Sequence, residues 1–226
     1  MTPTDDTIDK LVIFLAKRDG IDKLVKTFQY VSKLIHHQSE PLHPFLASRA
    51  KLLEVTSGLS RKAFRSGRFL SGFNALRRNP GAPHLSIFAN AGEMVYFFFD
   101  HFLWLARAGV LDPSLAPRFS FVSAFGESVG YVFFILLDLI AIRKGLVEHG
   151  RLISQKAGRD ETERKEKEKA IRVDRVMRLM GIAANIADLI IAMADIEPNR
   201  FCNHAVTLGI SGLVSAWSGW YRNWPA

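Results

Sequence analysis

Apolar positions recur at helical spacing along almost the whole chain. Ile8, Leu11, Val12 and Leu15 form one stripe, and Ile21, Leu24, Val25, Phe28, Leu34 and Ile35 continue as another. Asp19 followed by Asp22 reads as an N-cap with an acid in the first turn, so a break or kink is expected at Gly20. This first region runs from about residue 5 to 37 and is closed by Pro41 and Pro44.

The pattern changes between about 44 and 83. On a wheel turning through 100° per residue, Leu59, Ala63, Phe69, Leu70, Phe73 and Leu76 fall within about 140° of one another. Arg61, Arg65 and Arg68 lie on the opposite side, and Lys62 sits at the flank, where its long stem can snorkel. The pattern predicts one basic amphipathic helix ending at Asn79-Pro80-Gly81. Two uses fit it: in-plane insertion into an anionic leaflet, with arginines on phosphates, or packing of its Phe side chains on a protein core.

Four apolar segments follow, at 86–106, 119–142, 179–196 and 201–221. The last holds no Lys, Arg, Asp or Glu and is long enough to span a bilayer. The first three each hold two acids: Glu93 and Asp100, Glu127 and Asp138, Asp188 and Asp195. A charge at mid-membrane costs about 2.5–3.5 kcal/mol, so these helices are expected to face one another, face an aqueous path, or lie only partly in the membrane. The packing alternative has Asp100 reaching Arg107 and Asp138 reaching Arg143. Small residues four apart, Gly126 and Gly130, Ala183 and Ala187, Gly212 and Ala216, suit close helix packing. Between the second and third segments, residues 151–178 are densely charged, with acid–base pairs four apart. That suits a solvated helix or a disordered loop. Trp217, Trp220, Tyr221 and Trp224 resemble an interfacial aromatic belt.

Composition sharpens this. The 226 residues are 48% hydrophobic and 23% charged, and mean hydropathy is +0.08. Intrinsic disorder is excluded. Arg49, Lys51, Arg61, Lys62, Arg65, Arg68, Arg77 and Arg78 stand against the single Glu54, so nearly all of the net charge of +8 sits in the second region. An acidic partner follows, and with seventeen Phe that partner leans toward lipid. The single Cys202 allows no internal disulfide. Asp5, Asp6, Asp9 and Asp19 interrupt the first twenty residues, so no secretory signal is expected. Cys202 and His204 lack an orienting third group, and His36, His37 and His43 lack metal spacing. Neither an enzyme, a metal site, a cofactor nor a nucleic-acid reader is expected.

Several strings resemble the peroxisomal biogenesis factor 11 family, also called peroxin-11, in its plant-type branch. They are Phe28-Gln29-Tyr30-Val31-Ser32-Lys33-Leu34-Ile35, the block from Gly58 to Gly81, Phe99-Asp100-His101-Phe102-Leu103-Trp104-Leu105, and the tail from Phe201 through Pro225. The resemblance implies a peroxisomal membrane protein that promotes elongation, proliferation and division of the organelle by inserting a basic amphipathic helix and self-associating. It further implies recruitment of a dynamin-type GTPase with its adaptor. The family's membrane-bending helix maps onto Arg61, Lys62, Phe64, Arg65, Arg68, Phe69, Leu70 and Phe73, with anionic phospholipid as partner. Some family members have been proposed as pores, so the alternative is a peroxisomal channel or transporter for small metabolites.

The expected fold is all-α, a helical membrane protein with N-terminal amphipathic helices followed by a bundle of hydrophobic helices. Its expected divisions are a membrane-remodelling region on the cytosolic face (1–83), hydrophobic helices (84–150), the charged linker (151–178) and C-terminal hydrophobic helices (179–226). The expected helix-packing residues are Gly126, Gly130, Gly212 and Ala216.

Overall fold

In a computed structural model describing residues 7–154 and 161–225, the apolar stripes become eight α-helices, with no strand among the described residues. They are α1 (Thr7–Ala16), α2 (Arg18–Ser39), α3 (Pro44–Phe64), α4 (Phe69–Arg78), α5 (His84–Arg107), α6 (Ala116–Ser154), α7 (Glu161–Ile196) and α8 (Ala205–Asn223). Residues 5 and 6 of the first predicted region, 155–160 within the charged linker and the terminal Ala226 lie outside the described residues. The rest of that linker is helical. It extends α6 and opens α7, where Lys165 meets Glu161 at 2.7 Å and Arg178 meets Asp174 at 2.7 Å.

Three boundaries differ from the sequence pattern. The first break falls at Lys17, the residue before α2, and Gly20 lies inside the first helical turn, where it passes tightly under Phe14. Next, the expected single helix from 59 to 78 is two. Chain direction changes through Arg65–Arg68, with Gly67 at φ +73°, a conformation that a side chain would strain. Third, α8 starts only at Ala205, because Asn199 Oδ1 accepts from the Phe201 and Cys202 amides and holds the preceding residues in a turn. Among the described residues, α6 with the turn before it (Pro113–Ser154) and α7 (Glu161–Ile196) are long and apolar enough to cross a membrane. The segment at 201–221, expected to span, does not reach that mark.

Six helices close into a ring. α2 packs on α3 and α8, α8 on α7, α7 on α6 and α6 on α5, and α5 touches α3. α1 lies on α2, and α4 on α5. Backbone meets backbone where α5 crosses α6. A Cβ on Gly92 would stand 2.5 Å from the Gly130 nitrogen and 2.7 Å from the Gly126 oxygen, so only glycines let these backbones approach.

Polarity in this ring is inverted relative to a water-soluble bundle. α2 buries Asp22, Lys26 and Ser32 and exposes Phe28, Val31 and Ile35. α3 buries Glu54, Ser57 and Arg61 and exposes Phe45, Leu52 and Val55. α8 buries Ser211, Ser215 and Ser218 and exposes Val206, Ile210, Val214 and Trp217. Only small patches have an ordinary apolar core. One is Phe14, fully enclosed, with its ring 4.5 Å from Trp220 and 5.7 Å from Trp224.

Candidate functional site

The segment expected to meet the membrane divides at its turn. Arg61 leaves the last turn of α3 toward the ring interior and is 6% exposed. Its Nε donates to Asp22 Oδ1 at 3.1 Å and its Nη1 to Gln29 Oε1 at 2.8 Å. Lys62 donates to Asp100 Oδ1. Arg65 lies 3.4 Å from Asp22 and 3.6 Å from Asp100, and its Nη1 donates to the Tyr96 hydroxyl. Arg68 pairs with Asp19 at 2.5 Å, its guanidinium 4.8 Å above the Phe97 ring.

These four basic residues were expected to point outward; in the fold Arg61, Lys62 and Arg65 turn inward, Arg68 pairs with Asp19 at the rim, and together they hold the α3–α4 turn against α2 and α5. The physical reason is the break at Gly67, which takes Arg68 off the wheel of Arg61 and Arg65, together with the acids that α2 and α5 present. Asp100 takes these partners instead of the expected Arg107, and Asp138 takes Arg178 at 2.9 Å instead of Arg143. The turn is also held from below. His101 Nε2 accepts from the Gly67 amide at 2.7 Å, while Nδ1 meets the Phe97 carbonyl oxygen.

The apolar members of the segment separate in the same way. Phe64 is half-buried beside Lys17, Arg18 and Arg68. Phe69 packs edge-on against Phe98 and His101, at 5.6 and 5.7 Å. Leu70 and Phe73 remain open, 55% and 51% exposed, with Arg77 and Arg78 exposed on the same short helix. Gly126 and Gly130 sit at the α5 crossing, Gly212 lies under the Tyr30 ring, and Ala216 is fully buried.

Behind the turn lies a polar interior that the sequence pattern leaves unassigned. Lys26 Nζ donates to Asp188 Oδ1 at 2.5 Å and to Ser215 Oγ at 2.6 Å, and Ser215 Oγ donates to Asp188 Oδ2 at 2.6 Å. Tyr131 donates to Glu127 at 2.8 Å. Lys33 and Lys51 flank Glu54 at 2.7 and 3.1 Å. Two cavities open among these groups, of about 410 and 160 Å³, and Arg65, Tyr96 and Asp188 line both. A signal for this interior was present: Asp22, Lys26, Gln29 and Lys33 share one narrow face of α2, opposite Phe28, Val31 and Ile35. It reads as a solvent face until the fold turns it inward. Among the described residues no group of His, Cys, Asp or Glu could hold a metal ion.

Comparison with known proteins decides the lineage. The model of the family described as Peroxisomal biogenesis factor 11 (PEX11) matches residues 8–224. The chain belongs to this peroxin-11 family. It is 70% identical over 223 residues to Peroxisomal membrane protein 11-4 of Oryza sativa subsp. japonica, covering 98% of both chains. It is 62% identical to Peroxisomal membrane protein 11B of Arabidopsis thaliana, over 98% of this chain and 99% of that one. Similarity extends to Peroxisomal membrane protein 11 homolog of Dictyostelium discoideum, at 27% identity over 96% of this chain and 94% of that one. No solved structure matches. The chain is therefore a peroxin-11 family peroxisomal membrane protein, of a family described by biogenesis of the organelle and not by catalysis.

Proposed function

We propose that this peroxin-11 chain promotes elongation, proliferation and division of peroxisomes by wedging apolar side chains of the α4 segment into one leaflet and self-associating. The observation that carries this reading is α4 itself. Leu70 and Phe73 are unpartnered beside exposed Arg77 and Arg78, at the end of a turn anchored by four ion-paired cations. In this reading the division of labour differs from a free amphipathic helix. Leu70 and Phe73 enter the acyl boundary, and Arg77 and Arg78 meet phosphates. Arg61, Lys62, Arg65 and Arg68 tie the wedge to the bundle, so that leaflet expansion is transmitted to an anchored protein. Recruitment of a dynamin-type GTPase through its adaptor then acts on membrane already narrowed.

The test is tubulation of anionic liposomes by the full-length chain. Leu70→Asp with Phe73→Asp is expected to abolish tubules while leaving helical content unchanged, because both side chains are exposed. Tubules that persist in the double variant would remove the wedge.

A second reading is favoured by a separate observation, the ring of helices with two polar cavities sharing Arg65, Tyr96 and Asp188. It is passage of small solutes through the ring. Planar-bilayer conductance that falls on Asp188→Asn would support it; a silent wild-type protein would end it.

A further inference from the structure

α2 and α3 expose apolar stripes that nothing in the fold covers, yet neither helix would be taken for a membrane segment from its composition. We propose that α2 and α3 stand within the bilayer as full members of the six-helix ring, their outward faces in contact with lipid acyl chains. This goes beyond the wedge and does not depend on it; it rests only on residence of the chain in a membrane.

Three independent observations converge. The first is the ring. α6 and α7, the helices long and apolar enough to cross a bilayer, are joined to α2 through α8 and to α3 through α5. A lipid phase that surrounds α6 and α7 reaches the outer faces of their neighbours unless the ring is cut.

The second is the distribution of charge. Asp22 and Lys26 in the first half of α2, Glu54 midway along α3 and Arg61 near its end all point inward and are paired. Ionisable side chains at membrane depth face the bundle interior and pair with one another, as they do here. The outward stripe of α2 is Phe28, Val31 and Ile35; that of α3 is Leu52, Val55 and the half-buried Leu59. The outward cations of α3, Arg49 and the half-exposed Lys51 that pairs with Glu54, both lie in its N-terminal half, where a long side chain reaches toward the headgroups.

The third is length. α2 has 22 residues, α3 has 21 and α8 has 19. At about 1.5 Å per residue each matches a hydrocarbon core of about 30 Å. Composition conceals this, because a hydropathy average counts inward charges against a helix whose outer face is apolar.

The experiment uses the full chain with Cys202→Ser, carrying one cysteine at a time in place of Phe28, Leu52, Leu136 or Lys165 and labelled with an environment-sensitive fluorophore. Each is reconstituted in phosphatidylcholine vesicles whose acyl chains are brominated, and separately titrated with iodide. Labels at 28 and 52 are expected to be quenched by the brominated chains as strongly as the label at 136 on α6, and to resist iodide. The label at 165 is expected to behave in the opposite way. Iodide quenching at 28 and 52 would overturn the proposal, returning α2 and α3 to water. Labels at 28 and 52 insensitive to both quenchers would also overturn it, because a second copy or another protein would then cover the stripe. Iodide quenching at 136 as well would instead remove membrane residence of the bundle itself.

Discussion

Asp22 is 2% exposed and faces two guanidiniums, Arg61 at 3.1 Å and Arg65 at 3.4 Å. Removing one partner of a buried pair leaves uncompensated charge, which costs about 3–5 kcal/mol, whereas replacing both with apolar groups is often neutral. Asp22→Asn is therefore expected to lower the thermal midpoint of the detergent-solubilised protein far more than Asp19→Asn, since Asp19 is about two-fifths exposed. Equal shifts for the two would mean the interior pairing is not what holds the α3–α4 turn. At this scale the sequence was legible as residue types but not as partners. Lys62 and Asp100 lie 38 positions apart, and Lys26 and Asp188 lie 162 apart. Spacing reaches only a turn or two along the same helix, so it named Arg107 and Arg143 as neighbours where the fold supplies Lys62 and Arg178.

Helix identity was legible because apolar stripes survive at 3.6-residue spacing whatever surrounds them. Stops were legible at Pro44, which opens α3, and at Asn79-Pro80, which closes α4. The break at Gly67 was not, since a wheel drawn through 59–78 presumes an unbroken axis. Where two elements cross, glycine sets the distance. Gly92→Val is expected to push α5 off α6, lowering the thermal midpoint and exposing the crossing to protease, at about 1–3 kcal/mol of overpacking or more. The same change at Gly81, which has open space around it, is expected to be silent. Indifference to Gly92→Val would place the α5–α6 contact elsewhere.

At the scale of the whole molecule the basic residues cease to act as a patch. Arg61, Lys62, Arg65 and Arg68 are paired with Asp22, Asp100 and Asp19, so outlying cations such as Arg77 and Arg78 are the ones left open to phosphates. Attachment of the full chain to vesicles is thus expected to survive high salt, whereas a peptide of residues 55–83, with the same cations unpaired, is expected to be released. Equal salt release would mean that the charges face lipid in both. What the sequence by itself determined is the helical character of the chain, the clustering of positive charge in 44–83 and the family. What only the tertiary structure decided is direction: which face of α2, α3 and α8 looks inward, and which acid meets which base. Periodicity separates an apolar face from a polar one but carries no sign for the surroundings. In water the hydrophobic effect would turn the apolar face in. In lipid that drive between helices is absent, and the cost of unpaired polar groups turns the charges in instead.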